Sequence, residues 1–232
     1  LSKKQRIIWE AHHLPARANW LFWHLLKKVE KFVVITQGLK TDLIAFGIAE
    51  EKILIAPDGV DVAQFDIPDS VIEARERLNL PLEKHIALYT GHLYTWKGSD
   101  TMLHAAALLP EVLFVTVGGT ADDREEFLRM IEREQIRNIL CLPHRPPQDI
   151  PRYLKAADVL LLPNSAKERI SSHYTSPMKM FEYMAAKRPI VASNLPSLRE
   201  VLGDDTAIFF TPDDPRSLAE AIRSVLQNPE TG

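Results

Sequence analysis

His173–Ser193 reads HYTSPMKMFEYMAAKRPIVAS. Ser176 is a favoured residue type for a helix N-cap, and Pro177 suits the first helical position. The helical pattern then runs to about Lys187, and Pro189–Ser193 is a fresh apolar run of strand type. A helix followed at once by a buried-type strand is the repeating step of an α/β domain. Two readings of the stretch stay open on this evidence. It is either an ordinary α/β unit, or a helix start that holds a phosphate with Glu182 holding a sugar hydroxyl.

Outward from that stretch the same alternation continues. Strand-type runs are expected at residues 6–11, 31–36, 52–57, 85–91, 112–119, 138–143, 158–163, 189–193 and 206–210. Most are continuous in apolar residues, which suits strands buried on both faces of a parallel sheet. Helical patterns lie at 99–109, 123–134 (capped by Asp122 or Asp123), 148–157, 177–187 and 215–227. The connector PDGVDVAQFDIPDS, Pro57 to Ser70, breaks the rhythm with Asp, Pro and Gly. A boundary there gives residues 1–60 as a partial α/β domain and 61–232 as a complete, doubly wound, Rossmann-like one.

Composition narrows the function classes. The chain has 232 residues, 46% hydrophobic and 25% charged, as in ordinary globular proteins. Its formal net charge of -3 provides no global basic field for nucleic acid. The single cysteine, Cys141, excludes an internal disulfide framework and a cysteine-built zinc site, and it fits a reducing compartment. No apolar run is long enough to span a bilayer. LSKKQRIIWEAHHLP at the start lacks the h-region of a signal peptide. The chain opens almost directly on a strand-like run without a Met, so it is read as a fragment whose natural start lies upstream.

Several groups carry chemistry. The N–H groups of a first helical turn and the macrodipole attract an anion, here beside Thr175, Ser176 and Lys179. Glu182, one turn on, can accept two hydrogen bonds from a ribose diol; the plainer reading is a surface Glu or a pair with Arg188. In TGHLYTWKGSD, residues 90–100, Gly91 ends a strand and Lys97-Gly98 opens a helix. Ligands of open α/β sheets bind beyond the carboxyl ends of strands, so Lys97 is suited to a diphosphate, or else is a solvated turn lysine. The Walker A and G-x-G-x-x-G patterns are absent. Gly118-Gly119 follows another strand. His12 and His13, adjacent on a strand, point to opposite sides and cannot share one metal. The run 15–32, PARANWLFWHLLKKVEKF, reads as a helix that either packs on the sheet or lies at a membrane interface. No Asp-x-Asp pair is present to hold a divalent metal against a diphosphate.

Taken together and in order, KFVVITQGLKTDLIAFGI, EKILIAPDGVDVAQF, GHLYTWKG, AADVLLLPN and SPMKMFEYMAAKRPIVASNLPSLREVL resemble the group 1 family of retaining glycosyltransferases. The resemblance covers nearly the whole chain. It implies the two-domain GT-B fold, a UDP- or GDP-sugar as donor and a glycan or lipid-linked acceptor. It also implies metal-independent transfer with retention and no cofactor. By resemblance Lys97 contacts the donor diphosphate, with Gly91, Thr175, Ser176, Pro177, Met178 and Lys179 around it. Glu182 matches the second Glu of the family's E-x7-E pattern and binds the ribose. Tyr174 stands where the first Glu is expected, and His92 where an Arg is common. His144 and Arg145 fall at the base pocket, and His12 near the transferred sugar. A cytoplasmic enzyme working at the inner face of the cell membrane is the implied setting. This chain is expected to bind donor yet turn over poorly; a non-catalytic nucleotide-sugar-binding module and a GT-B epimerase are the alternatives.

Overall fold

The computed structural model describes residues 6–15 and 19–228. The first strands are β1 (Ile8–Ala11), β2 (Lys31–Val34) and β3 (Ile53–Ile55). They pair in parallel in the order β1-β2-β3. Six more follow: β4 (Ile86–Thr90), β5 (Leu113–Val117), β6 (Ile139–Leu142), β7 (Val159–Leu162), β8 (Ile190–Ser193) and β9 (Ile208–Phe210). These form a second parallel sheet, ordered β6-β5-β4-β7-β8-β9. That is the doubly wound order 3-2-1-4-5-6, whose ligand crevice lies where the order reverses. Here the reversal falls between β4 and β7.

All nine expected strands are present, within a few residues of their expected ends. The continuous apolar runs are explained by the two faces. Ile86, Leu88, Leu160 and Leu162 enter one buried cluster, while Ala87, Tyr89, Val159 and Leu161 enter the other. Alternate side chains go to opposite faces, and helices cover both. Each Leu or Ile so buried is stabilised by about 1.5–3 kcal/mol relative to exposure.

The helices are α1 (Trp20–Leu26), α2 (Gln37–Ala45), α3 (Val71–Leu78), α4 (Ser99–Leu108), α5 (Ala121–Arg133), α6 (Ile150–Ala156), α7 (Met178–Ala185), α8 (Pro196–Arg199) and α9 (Pro215–Gln227). Met102 and Leu103 of α4, Phe127 of α5 and Leu218 of α9 lie on one side of the large sheet. Ala74 of α3, Leu154 of α6, and Met180 and Tyr183 of α7 lie on the other. α3 is fastened by charge. Arg75 is buried and donates to Asp158 at 2.7 Å and to the Ala156 carbonyl at 2.9 Å. Asp158 also accepts from the Ile86 N–H at 2.7 Å, so one carboxylate ties α3 to the start of β4.

Four expectations are corrected. α5 is capped by Thr120, not by Asp122 or Asp123, and Asp123 completes a reciprocal capping box with it. The helix expected over 15–32 spans only Trp20–Leu26, because Phe32 is claimed by β2 and is fully buried there; residues 16–18 lie outside the described residues. Ser176 does not cap α7. Pro177 takes that position in an extended conformation, and the helix begins at Met178. Arg188 pairs with Asp158 and the Ala157 carbonyl, not with Glu182. The helices α2, α3 and the short α8 were not anticipated.

Candidate functional site

The site is built at the carboxyl ends of β4 and β7. Gly91 follows β4 with a φ of 122°, and its N–H is bound to the Val117 carbonyl. A Cβ there would lie 2.7 Å from the Lys179 ammonium, so the absence of a side chain admits that lysine. Lys97 closes a single 3-10 turn, residues 95–97, just before α4. Gly98 makes the junction with a φ of 81°. A Cβ on Gly98 would lie 1.7 Å from the Pro163 carbonyl oxygen, so the β4 and β7 loops meet backbone to backbone.

Lys179 is the unusual member. Its ammonium is fully buried, makes no hydrogen bond, and sits 3.9 Å from the centroid of the Tyr89 ring. Burial, and then the neighbouring charge of Lys97, hold its pKa well below the ordinary lysine value. Burial lowers that of Lys97 too. Glu182 is half-buried on the next turn of α7. Burial raises its pKa, with Lys179 pulling the other way. Thus Gly91, Lys97, Lys179 and Glu182 converge: two desolvated cations, one carboxylate, and a helix start that no side chain caps. Such a set suits an anion with a hydroxyl-bearing extension.

The wall of the site is held by Tyr183, which sequence reasoning passed over, and by residues that it named. The Tyr183 hydroxyl is buried and receives the Thr90 N–H at 2.9 Å, fixing α7 to the end of β4. The Ser176 hydroxyl accepts from the Asp58 N–H at 3.4 Å, joining the connector to the site. Gly118 and Gly119 turn the chain after β5, beside Arg124, whose Nε is buried without a partner. His92 is exposed and bonds Asp123 at 3.2 Å. His144 is exposed; Arg145 is half-buried with an unpartnered Nε. Met178 is exposed, and the Thr175 hydroxyl donates to the Ile170 carbonyl at 2.6 Å.

Tyr174 and His12 are engaged by acidic side chains outside this cluster. The Tyr174 hydroxyl donates to Asp42 of α2, which Arg169 also engages at 2.6 Å. Burial and that bond push the Tyr174 pKa up to about 12. Tyr174 packs against the core of the small sheet and links it to the large one. His12 is exposed past the end of β1, its Nε2 2.9 Å from Glu10. Among the described residues no three His, Cys, Asp or Glu side chains are grouped to hold a metal, and no helix is long and apolar enough to cross a membrane. Nothing local in the sequence marks Asp42 or Arg169, because their partner is over a hundred positions away.

Known proteins resemble this chain in sequence and in fold. The chain is 24% identical over 230 residues to the D-inositol 3-phosphate glycosyltransferase of Kineococcus radiotolerans, covering 88% of this chain and 51% of that one. It is 25% identical over 181 residues to the alpha-galactosylglucosyldiacylglycerol synthase of Streptococcus pneumoniae, covering 75% and 46%. The chain therefore spans about half the length of these curated relatives. In fold it matches Anabaena HepE, solved in complex with UDP, with a TM-score of 0.81 at 20% identity over 98% of this chain and 64% of that one. Sucrose-phosphate synthase from Thermosynechococcus elongatus matches with a TM-score of 0.78 at 21% identity, over 97% and 59%. These likenesses show the GT-B type of fold. The family model described as glycosyl transferases group 1 matches residues 70–232, and the chain belongs to that family.

Proposed function

We propose that the chain transfers a sugar from a nucleoside-diphosphate sugar, UDP- or GDP-linked, to a glycan or lipid-linked acceptor, with retention at the anomeric carbon and without a metal. The observation that carries this reading is the buried, unbonded Lys179 ammonium beside Lys97 at the sheet's switch point. A diphosphate supplies the two anionic groups those cations lack. Glu182 then meets the ribose hydroxyls. Leaving-group departure places negative charge on the diphosphate, and Lys97, Lys179 and the first-turn N–H groups of α7 stabilise it where it develops. No protein nucleophile is assigned. Support comes also from HepE, a structural neighbour solved with UDP and with UDP-glucose. On this reading residues 61–232 hold the donor, residues 1–60 face the acceptor, and the exposed Trp20, Leu21 and Leu25 of α1 meet a membrane surface peripherally.

A second reading is favoured by Tyr174. Its hydroxyl is engaged by Asp42, so no side chain at that position reaches the donor sugar as a carboxylate would. A chain so built binds donor without efficient transfer. Calorimetry with UDP, GDP and ADP, on the parent and on Glu182→Ala, tests the donor site. Selective binding of one nucleotide, weakened by the substitution, supports it; no binding of any of the three refutes it. Donor hydrolysis or transfer assays then separate the enzyme from the binding module.

A further inference from the structure

The loop that carries His92 and Lys97 has another side. Between it and α5 lies a cavity of about 290 Å³, lined by Leu93, Tyr94, Trp96, Glu126, Phe127 and Met130, with Ser99 and Asp123 at its edge. Its floor is apolar: Leu93 and Phe127 are buried, and Met130 is half-buried. One wall is aromatic. Tyr94 is stacked between His92 at 5.0 Å and Trp96 at 6.0 Å, which makes the wall stiff. The rim is acidic. Asp123 is already held by the Thr120 N–H and by His92. Glu126 is exposed and makes no hydrogen bond or ion pair among the described residues.

We propose that this cavity is a subsite for one neutral pyranose ring of a glycan, separate from the donor cleft. A pyranose has an apolar C–H face and a rim of hydroxyl donors. The cavity offers the complements in the same order, an apolar aromatic floor and wall beneath carboxylate acceptors. Two carboxylates on the rim repel a phosphate or an acidic sugar. The volume lies at the small end of ligand pockets, about 300 Å³ upward, so a single ring is accommodated and not a longer chain. The site shares its loop with Lys97, so on the proposed function a glycan held here lies beside the donor without occupying its place. Binding of the ring itself does not depend on the nucleotide-sugar reading.

The chain carries five methionines, and only Met130 lines this cavity, while Met178 and Met180 belong to α7 at the donor cleft. Their labelled methyl groups, assigned by Met→Leu replacement, report the two places separately by NMR. Titration with methyl α-glucopyranoside or methyl α-galactopyranoside is expected to move the Met130 methyl saturably. A dissociation constant of about 1–30 mM is expected for so small a contact. Glu126→Ala, at an exposed helical position, weakens that binding about fivefold, and glucose 1-phosphate binds less well than either glycoside. UDP moves Met178 and leaves the Met130 titration intact. The proposal is overturned if neither glycoside moves Met130, if Glu126→Ala binds as well as the parent, if glucose 1-phosphate binds as tightly, or if UDP displaces the glycoside. Failure of both UDP and GDP to move Met178 counts against the donor reading alone.

Discussion

Replacing Lys179 by Met is expected to stabilise the free protein and weaken nucleotide binding at once. Met keeps most of the volume beside Tyr89 and removes the charge. An unsatisfied buried polar group costs about 1–3 kcal/mol. The cation–π contact at 3.9 Å offsets about 0.5–2 kcal/mol of that cost. The net gain in the ligand-free state is about 1 kcal/mol, which raises Tm by about 2–4 °C in a chain of this size. Binding moves oppositely, because a charge-assisted hydrogen bond to phosphate is worth about 1.5–3 kcal/mol. The dissociation constant for UDP or GDP rises about 10- to 100-fold. The pH dependence follows from the depressed pKa of Lys179. Between that value and the unfolded value of about 10.4, the unfolded chain binds more protons, so parent stability rises with pH. The advantage of Lys179→Met is constant below the native pKa and shrinks as pH climbs through it. Thermal melts from pH 6 to pH 10, paired with calorimetry, measure both arms. A lower Tm for the variant, or unchanged nucleotide affinity, refutes the assignment of Lys179 as a cation waiting for an anion.

Glu182→Gln is expected to lose about 10-fold in affinity for the ribonucleoside diphosphate and almost none for its 2′-deoxy analogue, as read by parallel calorimetric titrations. Asp158→Ala leaves Arg75 buried without its carboxylate and destabilises the protein by about 3 kcal/mol in urea unfolding, since breaking a buried pair strands the remaining charge. Gly98→Ala puts a Cβ 1.7 Å from the Pro163 carbonyl and in a left-handed backbone. It is expected to displace the Lys97 loop, with lost nucleotide binding and a lowered Tm measured on the same sample.

The central strands β4, β7 and β8 were legible because they are buried along their whole length on both faces, so burial writes itself as an unbroken apolar run. Helices were legible only where a wide apolar face repeats. α2 buries just Leu39 and Leu43, and α3 carries Glu73, Arg75, Glu76 and Arg77 in a span of eight residues. Their signals are at their starts. Ser70 and Glu73 form a capping box at the head of α3, and the Thr36 side chain accepts the Leu39 N–H at the head of α2. A reading weighted toward hydrophobic period overlooks such pairs, and the Asp- and Pro-rich connector hid the first of them. The same weighting misplaced the start of α5, where Thr120 and Asp123 are three apart.

The site divides along the same line. Lys97, Lys179 and Glu182 were legible because each is placed by its own strand–loop–helix unit. The roles of Ser176 and Tyr174 were not, because each is set by a partner from the other sheet or the connector. Pro177 disfavours a helical conformation at Ser176, and the Ser176 hydroxyl accepts from the Asp58 N–H and does not cap α7. Tyr174 ends a short π-helical turn over Ile170–Tyr174 that packs on α2. That turn faces the small sheet, so a side chain there joins the two sheets before it can serve a ligand. On the proposed reading, the donor diphosphate in this chain falls to Lys97 and Lys179. The position that resembles the family's first carboxylate has become part of the bridge between the sheets. A Glu at that position would stand beside both Asp42 and the Arg169 guanidinium that already pairs with it, so Arg169 offsets the repulsion of the two carboxylates and draws the new one toward the bridge.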